Sequence, residues 1–195
     1  KMVFSLKNVN NIDHGEIYRA NLVGISTFGH ILIENMQPDT INGVYVVPNL
    51  IHFERTSGSI GSGTLYPIES WKKINYIEIG TGNLISFTMH YDSPLLTGEP
   101  LTCNSLSPYH LPDEVKIGDF DTTPGFSCSD NTVLSRGSWR AESGGKNLLN
   151  LNIFSMTKNN LGNEIEVSIT YTINSDGNIV AVNVNGLKDS YTKSG

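Results

Sequence analysis

An antiparallel all-β domain, built as a β-sandwich or a jelly-roll-like barrel, is what this sequence predicts, and three features carry the prediction. Near the C-terminus apolar and polar residues alternate, with Ile165, Val167, Ile169, Tyr171 and Ile173 interleaved among Glu164, Glu166, Ser168, Thr170 and Thr172. A period of two buries one face and wets the other, as antiparallel strands do. Turn residues recur at short intervals, and no stretch carries an i, i+3, i+4, i+7 apolar stripe over three turns.

The elements follow in order of clarity. Asn174-Ser175-Asp176-Gly177 supplies residues that tolerate the left-handed region, and Ile179 to Val184 makes the next strand. Upstream, Leu149, Leu151 and Ile153 share a face, and Lys158 to Asn163 makes the return, so 147–185 reads as a three-strand meander. A second hairpin spans 74–91, turning at Thr81-Gly82-Asn83 between Ile77/Ile79 and the alternating Ile85, Phe87, Met89 and Tyr91. Shorter strands are expected at Met2 to Val9, Ile17 to Ser26, Ile31 to Glu34, Gly43 to Val47 and Thr132 to Ala141. Pro67 to Lys73 and Leu111 to Val115 are each expected to form one helical turn, and Thr56 to Gly63 a Gly/Ser hairpin tip. This gives about eight to ten strands, which suits a sandwich or a small barrel.

Residues 1–195 are read as a single domain with a long irregular loop at 93–131, a segment holding five of the eight prolines and both cysteines. Cys103 and Cys128 sit in no C-x-x-C and beside no Lys, Arg or His, so a structural disulfide is expected in place of a reactive pair. That expectation implies an oxidising compartment: secreted, periplasmic or at the cell surface. The chain has 21 asparagines and no Asn-x-Ser/Thr acceptor, which favours bacterial export over a glycosylated secretory route. A net charge of −6 with no Lys/Arg run beyond Lys72-Lys73 excludes nucleic acid as a partner. Apolar runs such as Val44 to Val47 are far shorter than the about 20 residues of a spanning helix, so membrane insertion is not expected.

Short catalytic motifs occur without the context they need. Ser70-Trp71-Lys72-Lys73, Ser129-Asp130-Asn131 and Lys193-Ser194-Gly195 follow the order of the three serine β-lactamase motifs. The helices that such a site requires are missing, and three-residue matches are cheap in a chain rich in Ser and Asn. The Gly58 to Gly63 loop lacks the Gly-Lys-Ser/Thr of a phosphate cradle. The five histidines show no zinc-binding spacing.

Two site types remain. Asp119, Asp121 and Asp130 offer hard oxygen ligands in a loop, the donor set of calcium, although Pro124 stands where an EF-hand needs glycine. Trp71, Trp139, Tyr109 and His110 offer rings between polar neighbours, the pattern with which a β face stacks on a sugar. The function expected from these features is a secreted or surface-exposed bacterial-type binding or adhesion module, with a glycan or a protein surface as ligand. A secreted hydrolase with a dispersed site near 93–131, built on His110 and Asp113, is the first alternative. A structural subunit of a capsid, pilus or envelope is the second.

Overall fold

The computed structural model of the chain describes residues 2–24, 27–59, 64–93, 96–97, 100–158, 162–184 and 187–189. The first half contains β1 (Val3–Ser5), β2 (Gly15–Gly24), β3 (Thr27–Asn35), β4 (Asp39–Ile41), β5 (Val44–Ser59), β6 (Thr64–Glu78) and β7 (Leu84–Ser93). Segment 93–131 holds the short strands β8 (Leu96–Thr97), β9 (Leu101–Ser105), β10 (Glu114–Lys116), β11 (Phe120–Thr122) and β12 (Phe126–Cys128). The last part contains β13 (Val133–Leu134), β14 (Ser138–Gly145), β15 (Leu148–Lys158), β16 (Glu164–Asn174), β17 (Ile179–Val184) and β18 (Leu187–Asp189). No helix occurs among the described residues, and every strand pairing is antiparallel, as expected of the all-β class.

The strongest sequence patterns become the expected elements. β16 buries Val167, Ile169, Tyr171 and Ile173, and its turn into β17 places Gly177 at φ 82°. The 74–91 hairpin turns with Gly82 at φ 73°, its N–H donating to the carbonyl of Glu78. Two expectations are corrected. Pro67 to Lys73 is no helical turn but part of β6, which has a ladder partner on each side, β5 and β7. Pairing on both edges outweighs a weak local preference. Leu111 to Val115 is no helical turn either: Glu114 and Val115 belong to β10, and Val115 pairs with Phe4 of β1. The Gly/Ser tip is shorter than expected, since Thr56 to Ser59 belong to β5, and residues 60–63 lie outside the described set.

One sheet carries nearly all of the chain, in the order β11-β14-β15-β16-β17-β18-β2-β3-β5-β6-β7-β9-β12-β13. Its two ends belong to a single interrupted hairpin. Thr122 faces Ser138, and Phe126, four residues on, faces Leu134, four residues back, so β11/β14 and β12/β13 keep one register across a bend. The sheet thereby returns on itself into a flattened, sandwich-like shell. Glycine is required at the bend: a Cβ on Gly137 would lie 2.5 Å from the Phe154 carbonyl oxygen, and one on Gly125 2.5 Å from that of Leu134. The disulfide Cys103–Cys128 is closed and joins directly opposite residues of β9 and β12.

Cross-strand register sorts the interior into rows, because opposite residues of an antiparallel pair share a face. One row runs Ile31, Phe53, Trp71, Tyr91 across β3, β5, β6 and β7. The next runs Ile33, Ile51, Lys73, Met89, Leu101, and the third Asn35, Asn49, Asn75, Phe87, Cys103. The facing half supplies Trp139, Ile153, Ile169, Val184 and Ala141, Leu151, Tyr171, Val182. The opposite surface of that half is polar, with Thr170 and Thr172 hydroxyls donating to Asn152 and Asn150.

Candidate functional site

Between the two halves of the shell lies a cavity of about 390 Å³. Strands β5 to β7 give it Ile51, Trp71, Ile77 and Met89, and strands β15 and β16 give it Ile153, Met156, Val167 and Ile169. Met156 apart, which enters from the other parity of β15, these walls follow from strand alternation: each strand turns every second residue inward, and most of the residues there are large and apolar. Trp71 is 1% exposed and packs at 5.3 Å on the ring of Phe53, which fixes the floor beside it.

Polar groups enter this apolar box at defined points. Lys73 stands in the Ile33–Ile51–Lys73–Met89–Leu101 row and lines the cavity, with its Nζ 4.6 Å from the centre of the Phe87 ring. It keeps some accessible surface, but for the amine its surroundings are those of the core. Burial with no carboxylate to offset it pulls its pKa down to about 8. Asn75, two residues on along the same face, has a buried Oδ1 without a hydrogen-bond partner. Thr157, 2% exposed, has its Oγ1 in the same condition on the opposite wall. Tyr171 completes the set, its phenol pushed up to about 12 by burial. Buried polar atoms of native proteins are nearly always paired, so Asn75 Oδ1 and Thr157 Oγ1 are where a polar group inside the cavity, water included, finds a partner.

The third row explains how this end of the site is held. Asn35, 1% exposed, donates from Nδ2 to the carbonyls of Asn11 (2.6 Å) and Asp13 (2.9 Å) and accepts from Asn49 Nδ2 (2.9 Å). A hydrogen-bonded asparagine ladder thus runs from the N-terminal segment through Asn35 to Asn49, and Asn75, opposite Asn49 in the register, continues the row at the cavity. Across one side of the cavity passes the strap Tyr109–Asp113. It is pinned to the β6–β7 turn, where Leu84 N–H donates to Tyr109 O and His110 Nδ1 lies 3.3 Å from Asn83 Oδ1. On the other side Leu6 N–H donates to Asp113 O, and Asn10 Nδ2 to the carbonyls of Leu111 and Pro112.

The residues singled out from sequence are partly gathered here. Tyr109, His110, Trp139, Asp119 and Asp121 share an outer groove, together with Glu114 and the 78% exposed ring of Phe120. Tyr109 and His110 line both the groove and the cavity, so the strap is the partition between them. Trp139 is 4% exposed, and its indole N–H donates to Tyr109 Oη at 2.5 Å. That phenol donates in turn to Asp121 Oδ2 (3.3 Å), and burial, with the Asp121 charge behind it, raises its pKa. Trp71 lies apart, in the cavity wall. Neither tryptophan offers an open face to solvent, so the surface platform expected of them is not what they form.

The three aspartates are not brought together. Asp119 accepts from Lys116 N–H and Asp121 from Thr122 N–H, each within its own turn. Asp130 pairs with Lys158 at 3.1 Å, and Thr132, hydrogen-bonded to it, holds its carboxyl at about 2. No group of three His, Cys, Asp or Glu able to hold a metal occurs among the described residues. His110 and Asp113 form no dyad, since the ring nitrogen's partner is Asn83. Of the β-lactamase-like triplets, Lys73 is in a strand, and 193–195 lie outside the described residues.

Of the cavity-lining residues, sequence reasoning singled out Trp71, Tyr109, His110 and Asp113 but missed Lys73, Asn75, Thr157 and Tyr171 as site residues. Lys73 gives no signal by itself, because Lys72-Lys73 reads as a solvated pair; only the register shows that one of the two points inward. It also missed Glu54, which bridges His52 (3.2 Å), two residues away on its own strand, and His30 (2.6 Å) on the neighbouring strand, on the outer surface. Comparison with known proteins found no matching family model, curated protein or solved structure.

Proposed function

We propose that this chain is an exported binding module that shelters the apolar part of a small amphipathic molecule between the two halves of its shell. The observation that carries the reading is the cavity of about 390 Å³, walled by Ile51, Trp71, Met89, Val167 and Ile169 and bearing a few isolated polar groups. Ligand sites are usually of this kind: concave, mostly apolar, about 300–1,000 Å³, with few polar groups that fix orientation. Export is supported by the closed Cys103–Cys128 bridge, a bond at home in oxidising compartments. The reading moves the ligand from the outer surface, where an adhesin would hold it, to the inside.

The test is a titration with N-phenyl-1-naphthylamine, a neutral apolar fluorophore. Wild type is expected to give saturable, single-site enhancement, and Val167→Trp, which fills the wall, to abolish it while unfolding at a similar temperature. No saturable enhancement, or enhancement unchanged in the variant, would overturn the reading.

A second reading keeps the glycan on the outer groove. It is favoured by one observation: Phe120 presents its ring beside the carboxylates of Asp119, Asp121 and Glu114, a stacking face with acceptors around it. Glycan-array binding that disappears in Phe120→Ala would support it, and an array without saturable hits would end it.

A further inference from the structure

We infer that the molecule the cavity takes is an acid: the amine of Lys73, set into an apolar wall with no carboxylate beside it, is the counter-charge for a carboxylate carried in by an amphipathic ligand. This rests on the interior-cavity reading and names the chemical class that the cavity admits.

Start from the row. Lys73 is flanked across the strands by Ile51 and Met89, and beyond them by Ile33 and Leu101. An ammonium in such surroundings loses its hydration, and without a partner that loss is uncompensated. Its contact is the face of Phe87 at 4.6 Å, whose quadrupole favours the cation over the neutral amine. A ring face attracts a charge but neutralises nothing. Asp113 on the strap is a carboxylate in the lining of the same cavity, but neither it nor any other Asp or Glu among the described residues pairs with Lys73, and a negative charge at the amine is left for what enters the cavity to supply.

The two orphans in the cavity lining agree with this head group. Thr157 has a hydroxyl that can donate to a carboxylate oxygen, and it is 2% exposed with no protein acceptor. Asn75 lies on the same face, about 7 Å along the strand from Lys73, and its Oδ1 can accept from a hydroxyl or amide N–H next to the acid. Beyond these groups the walls are Ile153, Met156, Val167 and Ile169, which suit an aliphatic or ring-bearing tail.

A different use of a desolvated lysine is condensation with an aldehyde, in which the amine nitrogen bonds to the carbonyl carbon, water leaves and an imine remains. The site disfavours it. A protonated imine would be another unpaired cation in the same place, whereas a carboxylate removes the imbalance.

The experiment is displacement of bound N-phenyl-1-naphthylamine by decanoate, 1-decanol and decanal, which share a chain length and differ in head group. Decanoate is expected to bind wild type at least about tenfold more tightly than decanol, the worth of a charge-assisted contact. In Lys73→Met that ratio should fall to about one or below, with decanol affinity kept. Should that variant not fold, wild type alone decides: the decanoate advantage should shrink as pH rises from 7 to 10, with decanol unaffected. Decanol binding as well as decanoate in wild type would overturn the inference and leave the cavity reading standing. Failure of all three to displace the probe would remove that reading as well. Borohydride-trapped decanal on Lys73, with no preference for decanoate, would replace the acid by a carbonyl ligand.

Discussion

The Lys73 ammonium stands 4.6 Å from the centre of the Phe87 ring, on the inner face of two neighbouring strands where Lys73 is opposite Met89 and Asn75 opposite Phe87. A cation on an aromatic face with no anion nearby is an unstable compromise, and its titration exposes the strain on the fold.

The lysine pKa falls from 10.5 unfolded to about 8 folded. Between these values the unfolded chain binds more protons, so stability rises with pH through that window, by up to about 3 kcal/mol. Below pH 8 the full penalty is present. Tyr171 acts oppositely: its pKa is raised to about 12, so above pH 10 the unfolded phenol loses its proton first and stability declines. Tyr109, His110 and Asp113 also line the cavity and are common to both proteins, so the difference between wild type and Lys73→Met isolates the lysine. Urea unfolding at pH 7 and 9.5 should show wild type more stable at the higher pH, and Lys73→Met more stable than wild type at pH 7.

Gly137→Ala should destabilise by about 1–3 kcal/mol, the range for forcing atoms into a packed site. The added Cβ would meet the Phe154 carbonyl at 2.5 Å and the Thr123 Oγ1 at 2.6 Å, and the backbone cannot swing aside as a side-chain tip would. Because Gly137 lies at the bend that closes the shell and lines the cavity, probe binding should weaken as well. An alanine variant with the wild-type urea midpoint would contradict this.

Removing the Cys103–Cys128 bridge as a double Ala variant should cost about 3.5 kcal/mol on the chain-entropy estimate for a separation of 25. For a chain of this size that is roughly a 7–14 °C lower melting temperature. Calorimetry of the oxidised wild type beside the cysteine-free variant reads it directly.

Asn35→Leu should destabilise by about 2–3 kcal/mol, since it leaves the Asn11 and Asp13 carbonyls and the Asn49 amide without their partner. Amide exchange should accelerate in residues 11–14 before it does in β15 or β16. Equal exchange rates in that segment would show that the asparagine ladder does not hold it.

The fold was legible where one face is wet and the other dry. β16 shows it, as does the hairpin between β6 and β7, because alternation and turn chemistry agree there. β6 itself was obscured: its inner face is Trp71, Lys73, Asn75 and Ile77, its outer face Lys72, Ile74 and Tyr76, and neither reads as apolar or polar. Strands with mixed faces lose the period-two signal, which is why a helical turn was expected at 67–73. Segment 93–131 hid its strands because each is two to five residues long, below the length at which a period can be seen. The candidate site was half legible. Tyr109, His110, Trp139, Asp119 and Asp121 do meet in one groove, but a cavity made from facing strands is a product of register and closure, and no local pattern encodes either.

The most direct test of the central claim is methyl NMR of [methyl-¹³C]methionine-labelled protein titrated with 1-decanol. Met89 and Met156 line the cavity, while Met2 and Met36 are 47% and 39% exposed on the outside. An interior ligand should shift the Met89 and Met156 resonances together, saturably, and give them cross-peaks to the alkyl chain, leaving Met2 and Met36 in place. Unmoved Met89 and Met156 signals, or shifts confined to Met2 and Met36, would show that the interior is not where this protein binds.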